Sequence, residues 1–361
     1  MRLTKNILIA FAVILLSGCG NDTPEQLLSE YQSRVANVLE AETPSTTQTS
    51  NQNLTPFPDK RDRMIKTIDL RQGLWEVLDF KQCDMLSIIS QRNSSLGKVM
   101  PASQKMRYEL RLISALQRCK TIIANIETPT ESQQAFQARL EKIYQLKRTN
   151  LPAEIWNGIY ASAEISKHFK SSASPFPLDH STEQNNSTQI HSTLKKLTHL
   201  SSFANSESTT LPSWLEAIED EYATLHHSNF GSQVLATLPL MTAALNQVAG
   251  GIETRLSKKP FCYPNHQPQR ATVLNNVFRK YYVQQVQPYM ALLEREAKPW
   301  LEQHNIILDR LPVPPAMQAY SFKVLSMQNP DGLWNQWVSA RDRHSKAWQT
   351  ILGQCNMMPG V

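Results

Sequence analysis

The sequence predicts an all-α protein, a multi-helix bundle of long antiparallel helices joined at proline-marked turns. Three observations carry that expectation. In every long segment apolar residues recur at steps of three and four, the spacing that gathers them on one helix face. No long run alternates apolar and polar residues with period two, the mark of a half-buried strand. Glycines are few, 11 in 361 residues, and the 21 prolines fall between apolar runs, which punctuates helices rather than strands.

Residues 1–18 read as a lipoprotein signal peptide. Arg2 and Lys5 form a positive start, residues 7–16 are uncharged and apolar, and Leu16-Ser17-Gly18-Cys19 reads as a lipobox. The apolar run is too short to span a bilayer, which takes about 20 residues. Cleavage before Cys19 makes that thiol the acylated N-terminus. Two or three acyl chains hold firmly, where one holds marginally at about 0.8 kcal/mol per buried CH₂. Gly20 rather than Asp follows the cysteine. The expected address is therefore the outer membrane, with the chain lipid-anchored and facing the periplasm.

Residues 19–60 hold the anchor, a first helix and a polar linker. Thr23-Pro24-Glu25-Gln26 is a helix start, with Thr as N-cap and Pro in the first turn. Leu28, Tyr31, Val35 and Val38 follow as one stripe. From residue 42 to 60 the composition is that of a loop.

Residues 61–170 form a first helical subregion. Residues 64–80 read as short turns, and 84–92 as a helix. Pro101 opens a long helix with Tyr108, Leu112, Leu116, Cys119 and Ile123 on one face. A Thr-Pro-Thr-Glu start at 128–131 opens another, and Leu151-Pro152 a third. Residues 171–210 are rich in Ser, Thr, Asn and Gln and read as a low-complexity linker or insertion, holding one weak amphipathic piece around Ile190, Leu194 and Leu197.

Residues 211–361 form a second helical subregion packed on the first. Val234, Leu238, Met241, Leu245, Val248 and Ile252 make a heptad seam. Pro239 and Pro288 are expected to kink their helices, and Gly250-Gly251 marks a close helix contact or a kink. Asn329-Pro330-Asp331 caps a last helix bearing Trp334, Trp337, Trp348, Leu352 and Cys355.

Beside Cys19 the chain has Cys83, Cys119, Cys262 and Cys355. Four cysteines in an oxidising compartment predict two disulfides, with three connectivities available. Cys83–Cys119 with Cys262–Cys355 is favoured, because each pair then closes one helical subregion. Each loop is worth on the order of 4 kcal/mol in the chain-entropy model.

Composition and motif searches exclude several functions. The formal charge of +6 includes Arg2 and Lys5, so the processed chain is only mildly basic. That suits an anionic envelope surface and not a nucleic-acid partner. No HExxH, CxxC, EF-hand or phosphate loop is present, so neither a metal nor another cofactor is expected. His226 and His227 diverge on a helix, and His191 and His199 sit eight apart. There is no GxSxG elbow. Ser95-Leu96-Gly97-Lys98 matches SxxK, but no SDN or KTG follows, so the match is no better than chance.

What remains is a polar corner between two helices. Arg92, Asn93, Ser94, Ser95 and Lys98 supply donors there, with Gln104, Arg107 and Glu109 on the next helix. The start of that helix also directs free N–H groups at the corner. Such a corner could hold a carboxylate, a phosphate or a glycan hydroxyl. A structural reading stands beside it: Asn93 and Gly97 can terminate the helix, and Arg92 can pair with Glu109.

The same residues carry a resemblance. The lipobox, Gln82-Cys83-Asp84, the run Gln91-Arg92-Asn93-Ser94-Ser95-Leu96-Gly97-Lys98-Val99-Met100 and Arg118-Cys119 resemble the Gram-negative envelope family catalogued as domain of unknown function 3080. The resemblance covers nearly the whole processed chain and leaves residues 171–210 unmatched. It implies an envelope lipoprotein with paired cysteines and supplies no mechanism. The expected function is a binding, scaffold or adaptor role in the envelope, reached through membrane lipid at Cys19 and an envelope protein or anionic glycan or phosphate ligand. The rivals are an enzyme on cell-wall glycan with Glu109 as acid or base, and a protein that binds lipid between its helices.

Overall fold

A computed structural model describes residues 23–41, 55–68, 77–170, 173–178, 183–208, 210–264 and 267–359. Cys19, the expected leader at 1–18, most of the polar stretch after the first helix, and residues 69–76 lie outside the described residues. The helices run in the order α1 (Pro24–Leu39), α2 (Leu86–Asn93), α3 (Ser95–Lys98), α4 (Ala102–Ala124), α5 (Glu131–Tyr160), α6 (Ala163–Lys167), α7 (Glu183–Ser201), α8 (Ile218–His226), α9 (Phe230–Lys258), α10 (Gln269–Val277), α11 (Gln287–Arg310), α12 (Pro315–Tyr320) and α13 (Leu333–Gln354). Short helical turns join several of them, and no strand occurs among the described residues.

The start of α1 follows from its sequence. Thr23 Oγ1 accepts from the Gln26 N–H, and Gln26 Oε1 accepts from the Thr23 N–H, both at 3.3 Å. Pro24 takes a position where no N–H is needed. The stripe of Leu28, Tyr31, Val35 and Val38 is buried against α9 and α10. Along α9 all six residues of the predicted seam are buried, and α9 makes one of the largest helix contacts in the molecule with α13. By length and composition α9 could cross a bilayer, but here it is the central core helix.

Apolar residues gather into two cores. The larger joins α1, the second half of α5, and α7 through α13. The smaller comprises Phe80, Met85, Tyr108, Leu112, Leu116, Cys119, Ile123, Phe136, Leu140 and Ile143, around the first half of α5 and the outer face of α4. Helices α4 and α5 serve both, since Met106, Leu110 and Ile113 on α4 face the larger core. Gly158 permits their crossing, because a Cβ there would sit 2.6 Å from the Met106 Cβ.

The larger core contains three fully buried histidines. Tyr31 Oη bonds His344 Nε2 at 2.7 Å and accepts from Trp348 Nε1 at 2.7 Å. Tyr160 Oη bonds His304 Nδ1 at 2.9 Å. His168 bonds the Leu225 carbonyl at 3.0 Å.

The disulfides are Cys83–Cys119 and Cys262–Cys355, the favoured connectivity. Cys83 ends a short helical turn, Asp79–Cys83, and ties it to the C-terminal part of α4. Cys262 follows α9 and is joined to the end of α13.

Several expectations need correction. The supposed linker at 171–210 contains α7, which lies in the larger core with Ile190, Leu194, Leu197 and Leu200 fully buried. Its polar composition misleads because hydroxyls share the buried face: Thr193 bonds Glu221, and Ser201 Oγ donates to the Thr198 carbonyl at 2.7 Å. The helix expected to open at Leu151-Pro152 is instead the continuation of α5, with Pro152 inside it. A proline there costs about 3 kcal/mol, which the burial of Leu151, Ile155, Trp156, Ile159 and Tyr160 on the same helix offsets. The N-cap of α5 is Thr130, paired in a capping box with Gln133, and not Thr128. A Cβ on Gly250 or Gly251 would meet only ordinary contacts at 3.6 and 3.8 Å, so these glycines mark no close approach. Helix α13 starts after Gly332, with Asn329 forming the turn before it.

Candidate functional site

The polar corner is built by a tight backbone turn. Helix α2 ends at Ser94 in extended conformation, φ −65°. Ser94 then caps α3: its Oγ accepts from the Gly97 N–H at 2.9 Å and donates to the Gln91 carbonyl at 2.8 Å. Arg92 donates to the Gly97 carbonyl. Gly97 is required because a Cβ would lie 2.1 Å from the Gln91 carbonyl oxygen. Neither Asn93 nor Gly97 is therefore a left-handed helix stop; the glycine allows two short helices to touch.

Below this turn lies a cavity of about 640 Å³ between α2, α4 and α5. Of the residues singled out in the sequence, Arg92, Asn93, Lys98 and Glu109 line it. Ser94 and Ser95 belong to the turn and do not. Gln104 is half-buried on α4 away from the lining, and Arg107 donates to the Glu216 carbonyl at 2.9 Å.

The sequence reading missed the charged floor. Lys105 and Glu109 on α4 face Glu154 and Lys147 on α5. The helices run antiparallel, so the pairs form in reverse order: Lys147 Nζ lies 2.8 Å from Glu109 Oε1, and Lys105 Nζ lies 2.9 Å from Glu154 Oε1. Arg92 does not pair with Glu109. Both carboxylates are buried, at 2% and 4% exposure. Such a pair holds only while desolvation is compensated, and at Glu109 the compensation is incomplete: its Oε2 has no hydrogen-bond partner in the protein. Burial, only partly offset by Lys147, raises the Glu109 carboxyl above its ordinary range. Burial also raises the phenol of the adjacent Tyr108, assisted by the Glu109 charge. The signal available in the sequence was the spacing of Lys105 and Glu109 on one face of α4 with Lys147 and Glu154 on α5. Reading it required knowing that α5 runs unbroken through Pro152.

A second cavity of about 660 Å³ lies on the other side of α2, lined by Asp84, Gln91, Arg111, Arg118 and Glu216 among others. Helix α2 thus has hollow space on both sides, and none of its residues is fully buried. Among the described residues no group of three or more His, Cys, Asp or Glu could hold a metal.

Fold and site define a disulfide-braced, all-α bundle with a charged cavity beside its smaller core. Residues 28–359 match the model of a family described as protein of unknown function (DUF3080), and the chain belongs to that family. No curated protein and no solved structure matches it.

Proposed function

We propose that this chain is a lipid-anchored protein of the outer membrane, facing the periplasm, which works by holding an anionic envelope ligand in the cavity beneath α2 and α3. The address rests on the leader and on Leu16-Ser17-Gly18-Cys19, and two disulfides are in keeping with an oxidising compartment. The binding role rests on one observation: Glu109, whose Oε2 is buried without a protein partner, lines a cavity that Arg92 and Lys98 also line. Ligand sites are commonly such hollows with a few convergent polar groups. Radiolabelled palmitate is expected in the wild type and not in Cys19→Ser; equal labelling of both removes the anchor. Crosslinking in cells from position 98 is expected to trap an anionic envelope component, and capture of none would remove the ligand.

An enzymatic reading is favoured by one feature. Glu109 combines a raised carboxyl with a concave setting and a second carboxylate nearby at Glu154, as an acid–base catalyst requires. Incubating the full chain with cell-wall glycan fragments separates the two roles. Cleavage that Glu109→Gln abolishes makes the protein an enzyme. Binding without cleavage leaves it a carrier or adaptor.

A further inference from the structure

The lining of the cavity divides by chemistry. Glu109 and Lys147 balance each other's charge, as do Glu154 and Lys105. Arg92 and Lys98 are left as the excess. Lys98 is exposed and Arg92 half-buried, whereas Glu109 and Glu154 are buried, so the cations stand at the mouth and the carboxylates on the floor. Between them runs an apolar wall of Phe80, Met85, Ile89, Leu112, Leu116 and Ile143.

The outer surface repeats the pattern. Ile68, Leu78, Leu96 and Val99 are 61%, 46%, 81% and 75% exposed. Each lines the cavity or lies within two residues of a residue that does, namely Val77 or Lys98. Single exposed apolar side chains mean little, but several in the segments that line one cavity are in keeping with a place where apolar material arrives.

We infer that the ligand is a single-chain amphiphile with an anionic, hydroxyl-bearing headgroup, an inference that rests on the binding role proposed above. The headgroup anion meets Lys98 and the donors of Arg92 not used by the Gly97 carbonyl. A headgroup hydroxyl meets Glu109 Oε2, and a hydroxyl satisfies that oxygen whether the carboxyl is ionised or protonated. The chain lies along the apolar wall. A volume of about 640 Å³ falls within the roughly 300–1,000 Å³ of small-ligand sites.

The test photolabels the full chain with a diazirine-bearing lysophosphatidylglycerol below its micellar concentration and maps the modified peptides. Labelling is expected in the segments that contain Ile89, Leu112 and Ile143. Unlabelled lysophosphatidylglycerol is expected to compete at about tenfold lower concentration, or better, than glycerol phosphate, because each buried methylene adds to binding. It is also expected to outcompete zwitterionic lysophosphatidylcholine. Lys98→Gln, an exposed position, is expected to lower labelling without changing the melting temperature, and Ile89→Asn, on the half-buried α2, to lower it with only a small drop in melting temperature.

Equal competition by glycerol phosphate shows that the apolar wall is unused; it overturns this inference and leaves the anionic-ligand role standing. Equal competition by the zwitterion overturns it through the headgroup. Absence of labelling in all three segments overturns both the inference and the binding role.

Discussion

The two cores of this protein differ in what they bury. The larger encloses mostly rings, aliphatic side chains and neutral histidines, with hydrogen bonds such as Tyr31–His344 and Tyr160–His304 between them, and buries the charged groups of Arg63 and Glu296 as well. The smaller encloses two lysine–carboxylate pairs beside a hollow, and one of its walls, α2, has no fully buried residue. Both draw on α4 and α5, so the difference is not one of separate folding units. It lies in how much close packing each face of the same helix pair receives. Dense packing fixes a structure; unfilled space and partly compensated charge give a site something to bind with.

The largest way to test this contrast is pH. Burial lowers His168 to about 4, and His304 and His344 to about 3, with the His168 charge adding to the effect at His304. Below the unfolded value of about 6.5 the unfolded chain binds more protons, so the larger core loses stability as pH falls from there towards 3–4. At pH 5 the loss is up to about 2 kcal/mol per histidine. Glu109 has the opposite sign. Its folded value is raised, so its contribution is present at low pH and lost as pH rises through the folded value. Hydrogen exchange, corrected for intrinsic rates, is expected to show α11 and α13 losing protection at pH 5 before the Cys119 half of α4 does. The reverse order would break the contrast.

Next in size is packing itself. Leu245→Ala, in the middle of α9, is expected to cost about 2–5 kcal/mol, and Ile89→Ala, beside the cavity, about 1 kcal/mol or less. Urea titration measures both, and equal costs would mean that the smaller core is packed as tightly as the larger.

The contrast was only half legible beforehand. The seam from Val234 to Ile252 and the stripe from Tyr108 to Ile123 follow from periodicity alone, and the cysteine pairs followed from the subregions they close. The cavity's mouth was visible as Arg92, Asn93 and Lys98, because polar residues cluster at a turn. Its floor was hidden, since Lys147 and Glu154 lie on a helix that local rules break at Pro152. Helix α7 was hidden for a related reason: hydroxyls on a buried face read as loop until their partners, such as Glu221 for Thr193, are in view.

The disulfides sharpen the comparison more gently. Cys262–Cys355 spans 93 residues and Cys83–Cys119 spans 36. Chain entropy alone makes the first worth about 0.8 kcal/mol more. Paired Cys→Ala variants measured in urea are expected to keep that order. A larger loss on removing Cys83–Cys119 would show that it supports the cavity wall directly. The smallest expected effect belongs to Lys98→Gln, within about 0.5 kcal/mol of wild type in stability, because an exposed side chain holds nothing together. A large loss there would make the mouth a structural element.

The bond from Tyr31 to His344 joins residues 313 apart. That bond therefore forms only once α13 has been made, although α1 also packs on α9 and α10, and contacts of such long range are slow to form. Until then Tyr31 lacks His344 and Trp348 as partners. A chain stopped before residue 333 is expected to leave residues 24–39 more open to protease than they are in the full chain, and equal protection in the two would show that α9 and α10 hold α1 without α13.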